Sequence, residues 1–161
     1  MSFAACGEAQ KDGNEMPWLV SLGGYSDGLG DISHWDHQCA GSLVTNKHVL
    51  TSASCLSSTK SDWINGHQIR FGTSDLLDTE KGFERNIIEK IVHPDFENVI
   101  YFDVGIAVIH KRVVFSRNVI PVCLPMRPVD HLDQGIAIAD IIFHSFLSIS
   151  MYVLLASILS F

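Results

Sequence analysis

The sequence predicts an all-β domain, an antiparallel barrel or sandwich. Short apolar runs of strand length, rich in Val, Ile and Leu, recur between residues 17 and 110. Stretches rich in Gly, Ser, Asn and Asp separate them and read as turns or loops. Six such runs with this punctuation favour antiparallel strands over alternating β and α units.

The runs follow one another closely. "PWLVSLGG" (17–24) is the first strand, and "YSDGLGD" (25–31) is the loop that ends it. "HQCAGSLV" (37–44) is the second, with "HWDH" (34–37) placed largely in the loop ahead of it. The turn "TNK" leads into "KHVLTSAS" (47–54), read as strand throughout, and "SSTKSDWING" (57–66) reads as a long loop. "HQIRFGT" (67–73), "RNIIEKIVH" (85–93) and "DVGIAVIH" (103–110) complete the set, with "DTEKG" and "PDFEN" between them. Pro121, Pro125 and Pro128 then mark "IPVCLPMRP" as an extended connector, unsuited to a helix or a central strand.

Composition sets outer limits. A chain of 161 residues holds one ordinary domain rather than two. With 47% apolar and 18% charged residues, a packed core is expected and global disorder is excluded. Eleven Lys and Arg against 18 Asp and Glu give a net charge of −7, which argues against a nucleic-acid partner. Cys6, Cys39, Cys55 and Cys123 form an even set with no C-x-x-C pair, so two disulfides in an oxidising compartment are expected, with three connectivities open. Reduced cytosolic thiols are the alternative.

The two ends read differently from the middle. "MSFAACGEAQ" has neither a basic n-region nor a long apolar core, so no signal peptide is expected in the given chain. If the domain works outside the cell, the given start is expected not to be the native one. Residues 141–161 contain no Asp, Glu, Lys or Arg and reach the length of about 20 residues that crosses a bilayer core. Their serines and His144 make a poor span, and no Lys or Arg follows Arg127 to fix an orientation. A membrane partner through 141–161 is one expectation, and a non-native end the other. The chain thus divides into an atypical segment 1–6, a domain over 7–139 and a hydrophobic tail over 140–161.

"PWLVSL", "HQCAGSLVTNKHVLTSASCL", "EKIVHPDF", "DVGIAVI" and "VIPVCLP" occur in that order. Together they resemble the first half of a chymotrypsin/trypsin-like serine peptidase domain over residues 7–139. The family fold is two six-stranded antiparallel barrels with the active site in the cleft between them. The resemblance therefore implies a single six-stranded antiparallel barrel, similar to the N-terminal half of that double barrel. It further implies a Cys39–Cys55 disulfide bracketing the histidine loop and a pairing of Cys123 with Cys6. By the same resemblance the setting is extracellular.

Peptide hydrolysis in this family needs an attacking serine, a histidine that moves its proton and an aspartate that orients the histidine. Asp103 in "FDVGIAVI" occupies the aspartate position. The histidine segment, usually Thr-Ala-Ala-His-Cys, reads Thr51, Ser52, Ala53, Ser54, Cys55, so Ser54 stands where the base should be and is expected to be non-functional. His48, on the strand before, is not expected to replace it. No Gly-Asp-Ser-Gly-Gly stretch occurs, so no nucleophile is assigned, and Asp140 to Ile142 replace the usual Gly-Trp-Gly. The zymogen cleavage site is absent as well. Its place reads Ala4, Ala5, Cys6, Gly7, and the first basic residue is Lys11.

No cofactor and no metal are expected. His34 and His37, with Asp36 between them, find no third ligand at helpful spacing, and Asp75, Asp78, Glu80 and Glu84 read as a solvated acidic loop. The resulting expectation is a catalytically inactive homologue of trypsin-like serine endopeptidases that binds a protein partner. A fragment of an endopeptidase, active when complete, is the alternative. A barrel without its neighbour would expose an apolar face, which marks a protein-binding surface or poor solubility.

Overall fold

Apolar side chains spaced two residues apart give each strand one inward face. Val20 and Leu22, Ile69 and Phe71, and Ala107 and Ile109 are all buried in one cluster with Leu43, Val49, Leu56, Val113 and Val119. The computed structural model describes residues 6–7, 16–27, 33–57, 68–73, 75–76, 81–97 and 101–124, all within the compact unit Met1–Leu124. Six strands surround the cluster: β1 (Leu19–Asp27), β2 (Ser33–Leu43), β3 (His48–Thr51), β4 (Gln68–Phe71), β5 (Phe83–Val92) and β6 (Gly105–Ile109). One short helix, α1 (Ala53–Ser57), comes after β3.

The strands close into a barrel in the order β1-β2-β3-β6-β5-β4, every neighbouring pair antiparallel. Among the described residues the fold is all-β with almost no helix, as the sequence predicts. The seam that closes the ring pairs β1 with β4 through Ser21↔Arg70, Leu22↔Ile69 and Gly23↔Gln68.

Three boundaries differ from the sequence reading. β1 continues through Tyr25 to Asp27, and β2 begins at Ser33, so His34 to His37 lie inside a strand. The polar residues tolerate this because Tyr25 and Trp35 are opposite each other and make an edge-on ring contact, centroids 5.5 Å apart. The third strand stops at Thr51 rather than Ser54, because Ser52 starts a helical turn.

One buried cation ties the seam together. Arg70 is 1% exposed and lies 5.8 Å from the centre of the Trp35 ring. Its guanidinium donates to the Lys81 carbonyl at 2.8 Å and pairs with Glu84 at 3.4 Å. Tyr25 donates its hydroxyl to the same Glu84 carboxylate at 2.9 Å. Trp35 donates its indole N–H to Ser21 Oγ, which also bonds His37 Nδ1.

Burial, and then the Glu84 carboxylate, hold the Tyr25 hydroxyl above its ordinary value of 10.0. A phenol kept protonated by the fold contributes stability that is complete below its unfolded value and is lost as pH rises through the folded one. Unfolding midpoints in urea should therefore fall faster above a pH of about 10 in the wild type than in Tyr25→Phe. The variant should lose about 1 kcal/mol near neutral pH, where the hydrogen bond to Glu84 is gone.

Candidate functional site

Sequence places Ser54 and Asp103 far apart, and the barrel brings them together. β3 and β6 are neighbours, with Thr51 opposite Gly105. The segment leaving β3 therefore meets the segment entering β6. Ser54 lies in the first turn of α1, and Asp103 two residues before β6 begins. Gly105 makes the approach of α1 close: a Cβ there would meet Leu56 Cδ1 at 2.8 Å and the Ile91 carbonyl at 3.0 Å.

The Asp103 carboxylate accepts two hydrogen bonds from one residue. The Ser54 backbone N–H donates to Oδ1 at 2.7 Å, and the Ser54 hydroxyl donates to Oδ2 at 2.9 Å. Ser52 Oγ lies 3.1 Å from Ser54 Oγ and accepts from the Cys55 N–H at 3.2 Å. The directions form one consistent line, from the Cys55 amide through Ser52 and Ser54 to the carboxylate. Ser52 is thus the N-cap of α1, while Asp103 satisfies a second amide of its first turn. These hydrogen bonds hold the first turn of α1 to the segment that enters β6.

Backbone conformation places the carboxylate. Phe102 has φ +54°, in the left-handed region that costs a non-glycine residue about 1–2 kcal/mol. The Val104 N–H donates across Asp103 to the Phe102 carbonyl at 2.7 Å. The Phe102 ring stacks on His93, centroids 4.8 Å apart and planes 11° off parallel. His93 accepts the Asp95 N–H at Nδ1, which holds the ring against the turn. At the end of α1, the Lys90 ammonium donates to the Leu56 carbonyl at 3.1 Å. Burial holds that ammonium below its usual range.

A hydroxyl here differs from an imidazole in kind. It gives its proton to Asp103 and has no nitrogen that takes up a proton near neutral pH, as imidazole does at about 6.5. His48 does not fill the gap. It sits at the start of β3, and its Nδ1 bonds Thr45 Oγ1 at 2.7 Å.

The remaining sequence candidates are spread over the barrel. Cys39 is bonded to Cys55, which anchors α1 to β2, and Cys6 is bonded to Cys123. His34 and Asp36 are exposed on β2, and His37 is held by Ser21. No group of three or more His, Cys, Asp or Glu side chains that could hold a metal occurs among the described residues. Asp75 is exposed, Glu84 faces Arg70, and Asp78 and Glu80 lie outside the described residues. So do the tail 141–161 and the Asp140 to Ile142 replacement. Sequence reasoning missed the Ser52 cap, although a serine three residues before an amide in need is its usual signal. It also missed the left-handed Phe102, which nothing in the sequence announces.

Asp103→Ala is expected to lose about 2 kcal/mol of unfolding free energy, because two donors of Ser54 lose their acceptor. Asp103→Asn, which keeps one acceptor oxygen, should lose less. Urea titration of the three proteins measures both differences.

A closed six-stranded antiparallel barrel, with a carboxylate set against a disulfide-anchored turn after its third strand, defines one half of a double-barrel serine peptidase. The family model described as Trypsin matches residues 5–139, and the chain belongs to the trypsin family. It is 34% identical to a venom serine protease, Bi-VSP, of Bombus ignitus over 68% of this chain and 30% of that protein. It is also 34% identical to serine protease 28 of Mus musculus over 69% of this chain and 39% of that protein. Limulus clotting factor C of Carcinoscorpius rotundicauda matches at 28% identity over 75% of this chain and 12% of its own length. The chain therefore spans well under half the length of these relatives.

Proposed function

We propose that this chain is a catalytically inactive member of the trypsin family that acts by binding a protein. The observation that carries this reading is Ser54, hydrogen-bonded to Asp103 through both its amide and its hydroxyl. A proton acceptor matched to neutral pH is needed at that place, and an alcohol does not supply one. The 161 residues also contain no Gly-Asp-Ser-Gly stretch, so no nucleophile is assigned. Exposed Ile88 and Ile91 on β5, with Tyr101, Phe102 and Leu124, give the barrel apolar surface for a partner. The two disulfides favour an extracellular setting.

The test is labelling with a serine-directed phosphonate, run beside hydrolysis of a generic arginyl substrate. Silence in both is expected. Labelling together with turnover, after contaminating proteases have been removed, sinks the reading.

A second reading is favoured by the short coverage of the relatives: the chain is part of an endopeptidase that cleaves peptides when complete. A Gly-Asp-Ser-Gly stretch in the nucleotide sequence downstream of the Asp140 codon would support it. No helix among the described residues is long and apolar enough to cross a membrane. A membrane role for 141–161, outside those residues, is tested by whether extraction from cells requires detergent.

A further inference from the structure

We propose that β2 pairs edge to edge, antiparallel, with β2 of a second copy of this chain over Ser33 to His37. β2 is 11 residues long, and β1 accompanies it from Ser33 to Ser42. On its other side β3 meets only Ser42 and Leu43, and the Thr51 hydroxyl donates to the Ala40 carbonyl. Among the described residues, Ser33 to His37 therefore have a strand neighbour on one side alone. Alternate residues of a strand direct their N–H and C=O groups to opposite sides, so this stretch keeps main-chain groups for another strand.

The residues along the edge select the occupant. β1 and β2 stay in regular register from Asp27↔Ser33 to Gly23↔His37. Gln38 is then the extra residue of a bulge, because Leu22 pairs with Cys39. Trp35 is the centre of the regular stretch. His34 and Asp36 are exposed, and Trp35 between them is buried. A carboxylate on a strand edge ordinarily repels incoming strands. In an antiparallel pair centred on Trp35, Asp36 stands opposite His34 of the second copy, and two-fold symmetry makes that contact twice. An imidazole N–H reaches a carboxylate across the roughly 5 Å that separates Cβ atoms in such a pair. A slide by two residues sets Asp36 against Asp36, or His34 against His34. A slide by one turns exposed positions against buried ones. The register that uses the whole regular stretch is thus the one that matches unlike groups. This self-complementarity favours a second copy over a foreign strand.

The contact is small. So short a ladder buries too little surface for a permanent dimer, and a net charge of −7 on each copy opposes approach. Association is therefore expected to be reversible, and clearest at about 150 mM salt, where charges are screened beyond about 8 Å. Neither Ser54 nor Asp103 takes part, so the proposal stands or falls separately from the loss of catalysis.

Sedimentation equilibrium of the full chain over about a hundredfold range of concentration should show monomer giving way to dimer. His34→Glu and Asp36→Lys, both at exposed positions, should each weaken the dimer at least about tenfold with circular dichroism unchanged. An equimolar mixture of the two variants should dimerise again, because each substituted side chain then faces one of opposite charge. Amide exchange at high concentration should slow within 33–37 and not on β5, where exposed Ile88 and Ile91 are the competing surface. A monomer throughout, a dimer indifferent to both substitutions, or a mixture that does not recover overturns the proposal. So does slowed exchange on β5 in place of 33–37. Protection of 33–37 by an unrelated Thr- and Val-rich peptide, without dimerisation, would assign the edge to a foreign strand and overturn it as well.

Discussion

A chimera of residues 7–139 joined to the second barrel of an active trypsin-family protease is expected to hydrolyse an arginyl substrate barely above background. Adding Ser54→His should then raise kcat by roughly 10⁴-fold or more, with KM nearly unchanged. The reasoning is local. The second barrel restores the attacking serine and the oxyanion amides, so the missing part is the group that accepts the serine's proton. Asp103 already accepts an amide and a hydroxyl from position 54, so an imidazole placed there would find its orienting carboxylate in place. Ser54→Ala in the same chimera should be as slow as the parent, since the hydroxyl contributes nothing to proton transfer. Both variants need the same thermal unfolding profile as the parent for the comparison to stand. A parent chimera within tenfold of its Ser54→His variant would refute the assignment.

Gly23→Ala is expected to destabilise the barrel by at least about 3 kcal/mol or to prevent folding. Gly23 sits at the irregularity where β1 shifts register against β2. A Cβ at this position would collide with the Asp36 carbonyl oxygen and lie 3.3 Å from Trp35 Cε2. The obstacle is backbone, so no rotamer change relieves it. Gly23 also pairs with Gln68 across the closing seam, so any retreat of β1 from β2 strains the seam as well. Urea midpoints, or soluble yield where no folded protein accumulates, measure the effect. An alanine variant with a wild-type midpoint would mean that the two strands do not approach this closely.

The strands are legible because each is a short apolar run set between turn residues. "QIRF" alternates polar with apolar residues, "GIAVI" is apolar throughout, and both appear as predicted. The β1–β2 hairpin is not legible, since Tyr25 to Asp27 and Ser33 to Asp36 look like loop. What makes them strand is a set of distant contacts: Tyr25 with Glu84, Trp35 with Ser21, and both rings with each other. Local composition holds no trace of a partner 59 residues away. Arg70 is a missed clue of the opposite sort. A lone cation inside an apolar strand is expensive to bury unless it is paired, so its presence in "QIRF" already implies a carboxylate somewhere.

The candidate site divides along the same line. The residue types at 54 and 103 can be read from the segment pattern. Their meeting at the first turn of α1 cannot, because it depends on where α1 starts, and the apolar pattern alone runs the third strand through to Ser54. A single serine, Ser52, decides that boundary by accepting the Cys55 amide.

Ring closure leaves each of the six strands flanked on both sides, β1 meeting both β2 and β4. Over the paired stretches the cylinder leaves no vacant ladder of main-chain donors and acceptors for a foreign peptide to extend. The ring is not closed along its whole height: β3 meets only Ser42 and Leu43 of β2, so among the described residues the earlier part of that strand has β1 as its strand neighbour, and an extended peptide that zips onto this domain would do so there.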